Sequence, residues 1–187
     1  MFKVLLGVIV VAVSTIVVFM VIDPNISING NDAAALLSTS IEIQDGYFSV
    51  TIEGEVSKPG SYVLKDGSLM EDLIDAAGGL SLYGDDLAYF DDADIESGAT
   101  YYIPSKYDTS NVCELKDISK VNINEASLEE LLEISAFTNS VANSVISYRA
   151  EHGEYRTLES LLDVYGIGNA TYRKLRNYVI LHEWYYF

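Results

Sequence analysis

One cysteine, two histidines, three prolines and eleven basic residues in a chain of 187 leave several kinds of chemistry without material. The lone Cys113 excludes an intramolecular disulfide, and no Cys/His set has the spacing of zinc ligands. Around His152 and His182 there is no nucleophile with its base and no carboxylate–metal set, so the sequence reads as non-enzymatic, with no metal and no cofactor. Scarce proline and 49% hydrophobic residues exclude a disordered or low-complexity chain. The shortage of bases is the most telling, because 28 acids give a net charge of −17. The imbalance is uneven. Residues 23–110 hold 17 acids and 3 bases, whereas residues 111–187 hold 11 acids and 7 bases.

What the sequence does have is a 19-residue run from Val4 to Ile22 without a charge. At about 1.5 Å per residue it covers about 28 Å, enough for a hydrocarbon core of about 30 Å. A cleaved signal peptide would have a shorter apolar core and a small-residue cleavage site, whereas Asp23-Pro24 follows here. Residues 1–24 therefore read as a single-pass membrane anchor. Lys3 keeps its flank in the cytoplasm and places the rest of the chain outside the cell, beginning with a polar linker over residues 25–40.

Residues 41–106 form a first folded region. Tyr47 to Ile52 reads as a strand, with pairing carried on through Val56 past a bulge at Gly54. Lys58-Pro59-Gly60-Ser61 is a turn, Tyr62-Val63-Leu64 a returning strand, and Thr100 to Ile103 the last strand. Between them a helix capped by Ser68 places Leu69, Leu73, Ile74 and Ala77 on one face and stops at Gly78-Gly79. Three blocks, Val50 to Tyr62, Leu73 to Leu80 and Tyr101 to Pro104, resemble the SLBB family, a soluble-ligand-binding variant of the β-grasp fold. The resemblance implies a small sheet wrapped on one helix, used for ligand or protein contact and for self-association. Asp85-Asp86 and Asp91 to Asp94 lack the spacing of a calcium loop and read as solvated acidic loops. Residues 107–119, with Cys113 as a free thiol, read as a second linker.

From residue 120 to 187 the pattern changes to short helices joined by tight connections. Ser127 and Glu130 form a capping box ahead of Leu128, Leu131, Leu132 and Ile134. A second helix follows Asn139, a short one follows Thr157, and a closing element runs from Asn169 to Leu181. Leu131-Leu132-Glu133-Ile134 matches Leu161-Leu162-Asp163-Val164, a repeat of about 30 residues. The segments Val121 to Leu131, Tyr148-Arg149, His152 to Tyr155 and Leu158 to Gly168 make this region resemble a tandem helix-hairpin-helix domain. The whole chain in turn resembles the ComEA family of competence proteins. The implied fold is α+β: a transmembrane helix, a small SLBB β-grasp domain, and an all-α tandem helix-hairpin-helix domain. The implied function is a membrane-anchored receptor that captures double-stranded DNA and presents it to the uptake machinery.

Gly166-Ile167-Gly168 lets the backbone turn with no Cβ in the way of a phosphate, and the amides opening the next helix at Asn169, Ala170 and Thr171 have no partner of their own. Arg173, Lys174 and Arg176 follow within two turns and supply positive charge. Such contacts read backbone rather than bases, so binding is expected to be sequence-independent and salt-sensitive. The same tripeptide also serves as a plain connector with Ile167 buried beneath it. The first hairpin is degenerate: its loop, Ala136-Phe137-Thr138-Asn139-Ser140, has lost both glycines. That erosion and the acidic balance leave open a second reading, an envelope protein-interaction scaffold that keeps the hairpin fold without DNA affinity. The terminal Trp184-Tyr185-Tyr186-Phe187 packs on the hairpins, meets the membrane interface or stacks on bases.

Overall fold

The computed structural model describes residues 45–108 and 115–183, which belong to one compact unit, Ile43–Phe187. The expected anchor and first linker, Cys113 and the terminal aromatic residues lie outside the described residues. Among the described residues no helix is long and apolar enough to cross a membrane.

Strand β1 (Tyr47–Gly54) buries Phe48, Val50 and Ile52 at alternate positions, the period of a half-buried strand. It pairs antiparallel with β2 (Gly60–Lys65), Tyr47 opposite Lys65, and parallel with β3 (Thr100–Ile103), Gly54 opposite Ile103, in the order β2-β1-β3. Where β1 leaves the sheet, a Cβ on Gly54 would stand 2.1 Å from the Ile103 carbonyl oxygen, and φ is +87°, so glycine is obligatory there. The strand ends at that point. Val56, expected to extend it, makes an isolated bridge to Leu80 instead. Helix α1 (Met70–Ala76) seats Met70, Leu73 and Ile74 on the sheet. Ser68 is not its cap: the helix starts after Leu69, whose amide donates to Asp72 Oδ2 at 2.9 Å.

The stretch expected as a second linker is structured at both described ends. β4 (Tyr107–Asp108) and β5 (Lys116–Asp117) form an antiparallel ladder. Beyond it come β6 (Val121–Asn122), α2 (Leu128–Glu133), α3 (Asn139–His152), a 3-10 helix (Leu158–Asp163), α4 (Asn169–Leu175) and β7 (Val179–Ile180). The capping box opens α2: Ser127 N–H donates to Glu130 Oε2 at 2.7 Å and Glu130 N–H to Ser127 Oγ at 3.3 Å. The hairpin region is not all-α. Tyr178 N–H turns back to the Leu175 carbonyl at 2.8 Å and ends α4, and Val179-Ile180 then pair in parallel with Val121-Asn122. The amides of Val121 and Ile123 donate to Tyr178 and Ile180, so the first and last segments of the region close on each other.

Each half has its own core, and Phe90 packs on both. A seam of polar contacts joins them. Phe90 N–H donates to the Arg156 carbonyl at 3.1 Å, and Leu181 N–H to that of Leu87 at 2.8 Å. Arg156 pairs with Asp92. Lys120 and Asp85 form a buried ion pair at 2.5 Å, in which burial pulls the lysine pKa down while Asp85 pulls it back up.

Candidate nucleic-acid interface

The two hairpins are built on one plan and differ where a ligand would touch them. In the second, Ile167 N–H donates to the Val164 carbonyl at 3.0 Å, closing a turn with Tyr165 and Gly166 at its centre. Gly166 has φ +91° while no residue other than glycine is left-handed among the described residues, so this is a type II turn that requires glycine at its third position. In the first, Phe137 N–H donates to Ile134 at 2.9 Å, but Ser135 and Ala136 both keep negative φ. That changes the turn type and rotates its middle peptide to present the opposite edge. With Ala136 where the second turn has Gly166, the first turn thus presents a differently oriented peptide and carries a methyl group as well. Phe137 and Ile167 are both buried beneath their loops.

The helix starts differ as well. Thr138 caps α3, its Oγ1 accepting from Val141 N–H at 3.3 Å. Gly168 occupies the same place ahead of α4 and has no side chain to do so. The amides of Gly168, Asn169, Ala170 and Thr171 have no acceptor among the described residues, and the first three residues are exposed. Gly168 needs no glycine for its own conformation: φ is −97°, ψ is 177°, and nothing among the described residues lies within 4 Å of where a Cβ would stand. Serine, threonine, aspartate or asparagine would cap the helix there.

A groove of about 790 Å³ runs between the two loops. Ser135, Ala136 and Thr138 line it from the first hairpin, and Gly166, Thr171, Arg173 and Lys174 from the second. No carboxylate among the described residues lines it, although the chain as a whole carries 28 acids. Arg173 and Lys174 are exposed, without an ion-pair partner among the described residues. The nearest acid in sequence to the second turn, Asp163, lies close enough to Tyr148 to help raise that phenol's pKa, burial being the larger cause. An adjoining groove of about 1150 Å³, which shares Ser135, Ala136 and Tyr178, is acidic, with Asp117, Glu125, Glu130 and Glu133 in its wall. The positive stretch is narrow and bounded.

Arg176 does not belong to it. Expected as a mobile cation, it lies with its guanidinium carbon 3.4 Å from the centre of the Tyr102 ring, half-buried, its Nε enclosed. The cause is the seam. Tyr102 N–H donates to Glu159 Oε1 at 2.8 Å, Tyr172 Oη donates to the same oxygen at 2.7 Å, and Tyr102 Oη donates to Asn177 at 3.0 Å. Burial raises the Glu159 carboxyl to about 7, its hydrogen bonds and Arg176 opposing, and pushes the Tyr172 phenol far up. This cluster fixes α4 against β3. It has no sequence signature, since its members lie 57 and 75 positions apart. Thr138, by contrast, was readable as a cap by residue type. Tyr165, 86% exposed at the second turn, was not singled out by any sequence rule.

Comparison with known proteins agrees with this architecture. Residues 116–180 match the model of the helix-hairpin-helix motif, and residues 49–89 that of the SLBB domain. The chain is 34% identical over 137 residues to ComE operon protein 1 of Bacillus subtilis, an alignment covering 68% of this chain and 67% of that protein. Over 60 residues it is 37% identical to endonuclease/exonuclease/phosphatase family domain-containing protein 1 of Mus musculus, but spans only 10% of that protein. Over 62 residues it is 37% identical to an uncharacterized protein of Haemophilus influenzae, spanning 55% of it.

Proposed function

The chain belongs to the family of ComE operon protein 1, and from that premise we propose that it is a non-enzymatic, sequence-independent receptor for double-stranded DNA serving uptake in natural transformation. In this reading the second hairpin is the contact, and the first is its structural support. One observation carries it: Gly168 is a glycine that the chain itself does not need. It forgoes a cap, meets no neighbour among the described residues and adopts an ordinary conformation, so its missing side chain serves something that approaches from outside. The open amides of Gly168 to Thr171 suit phosphate oxygens, and Arg173 and Lys174 supply the charge beside them. With two cations neutralising about two phosphates, the log–log salt slope is about −2, so affinity per copy is modest. Several copies on one membrane would multiply it. Residues 4–22 are proposed as the single-pass anchor that holds the two modules outside the cell.

The capped first loop and the acidic first module favour the competing reading of an envelope scaffold without DNA affinity. A titration of fluorescent duplex DNA with the full chain in mild detergent decides between them. The receptor binds saturably, with a slope of about −2 that falls toward zero when Arg173 and Lys174 are both changed to alanine. Absence of binding at low salt assigns the scaffold.

A further inference from the structure

Tyr165 sits at the second position of the type II turn, 86% exposed, between the buried Val164 and the left-handed Gly166. Val164 and Ile167 anchor the turn from below and the Val164–Ile167 hydrogen bond closes it, so the ring is held outward on a fixed backbone. Among the described residues no hydrogen bond, ring contact or ion pair involves its side chain, and it is not part of the core. It is also not an isolated case. From residue 116 onward, the exposed large hydrophobic residues among those described are Leu162, Tyr165 and Tyr178, all at the second hairpin or directly after its helix. The first hairpin, with Ser135 at the matching turn position, has none. Exposed apolar surface thus collects at the hairpin that keeps its open amides.

We propose that Tyr165 is a DNA-contact residue, packing its ring on the sugar and base edge of the strand whose phosphate the adjacent amides hold. The proposal rests on the receptor reading and adds to it a non-electrostatic part of the affinity. Two cations are few for a protein of this net charge. An aromatic ring contributes without counterions, tolerates any sequence because every nucleotide carries the same apolar deoxyribose surface, and loses little freedom when it is already held by a rigid turn. Tyr165 is three residues before Gly168 on the same tight bend, so a strand reaching those amides meets the ring.

Salt-dependent binding of the full chain to mixed-sequence duplex DNA, measured for the wild type, Tyr165→Ala and Tyr165→Phe, tests this. Tyr165→Ala weakens binding by about five- to tenfold at every salt concentration, the size of one aromatic packing contact, and leaves the slope unchanged. Tyr165→Phe keeps the ring and stays near the wild type. Thermal melts of both variants match the wild type, because the side chain is outside the core. Wild-type affinity in Tyr165→Ala overturns the proposal and leaves the receptor reading standing, and the same holds if that variant alters only self-association in sedimentation. Equal losses in the alanine and phenylalanine variants also overturn it, since a hydroxyl contact would then be responsible. A wild type that does not bind at all removes both.

Discussion

Gly168→Ser separates stability from function by moving them in opposite directions. The backbone there is extended, φ −97° and ψ 177°, and the added Cβ enters open space, so serine fits without strain. Its hydroxyl then accepts from an amide two or three residues on, Ala170 or Thr171, as a helix cap. Glycine and serine differ as caps by only a few tenths of a kcal/mol, so the melting temperature rises by no more than about 1 °C. The DNA side loses more. One donor is now satisfied internally, and the side chain stands where the phosphate would approach. A hydrogen bond to a charged group contributes about 1.5–3 kcal/mol, which makes the loss about 10- to 150-fold in Kd. The salt slope stays near its wild-type value, because no cation has been removed. Fluorescence titration across salt, with a thermal melt of the same samples, reads both quantities. If Gly168→Ser melts at or above the wild type and binds DNA within about twofold of it, the open amides are not the contact and the reasoning fails.

The remaining predictions concern the seam and the first loop. Arg176→Ala should lower stability by about 1–2 kcal/mol in a denaturant melt, by removing the cation stacked on Tyr102, and should leave the DNA salt slope unchanged. Glu159 binds its proton more tightly folded than unfolded, its carboxyl standing at about 7, so its contribution to stability is complete below about pH 4.5 and fades as pH rises through 7. The wild type should therefore lose on the order of 2 kcal/mol between pH 5 and 8 from this group, while Glu159→Gln, which still accepts from Tyr102 and Tyr172, should show a flatter profile. Ala136→Gly combined with Thr138→Gly should give the first loop back its open helix start. DNA binding is expected to tighten by about tenfold while stability falls by about 1 kcal/mol, and unchanged binding would show that the first loop faces away from the strand.

Much of the architecture was legible because it is written in local patterns. The alternation from Phe48 to Ile52, the capping box at Ser127 and Glu130, and the glycines around Ile167 each act over a few residues, and the structure places each of them as expected. The misreadings share a cause. Val179 and Ile180 fit the apolar face of a helix as well as a strand, and only the distant Val121-Asn122 edge selects the strand. Ser68 resembles a cap, but the Met70 and Glu71 amides it would accept from donate to the distant Ala93 and Asp91 carbonyls. Arg176 follows Arg173 and Lys174 in sequence, yet faces the Tyr102 ring because the first module stands against that side of α4.

By itself the sequence determined the two modules, their order, the degeneracy of one hairpin and the glycine-bracketed bend of the other, since turns, caps and periodic burial are short-range physics. The tertiary structure alone decided which cations are free, which amides stay open and where the acids are kept away. Those outcomes depend on groups tens of residues apart, such as Tyr102 with Glu159 and Asn177, or Lys120 with Asp85, whose meeting is settled by packing and by the electrostatic cost of leaving a buried charge unpaired.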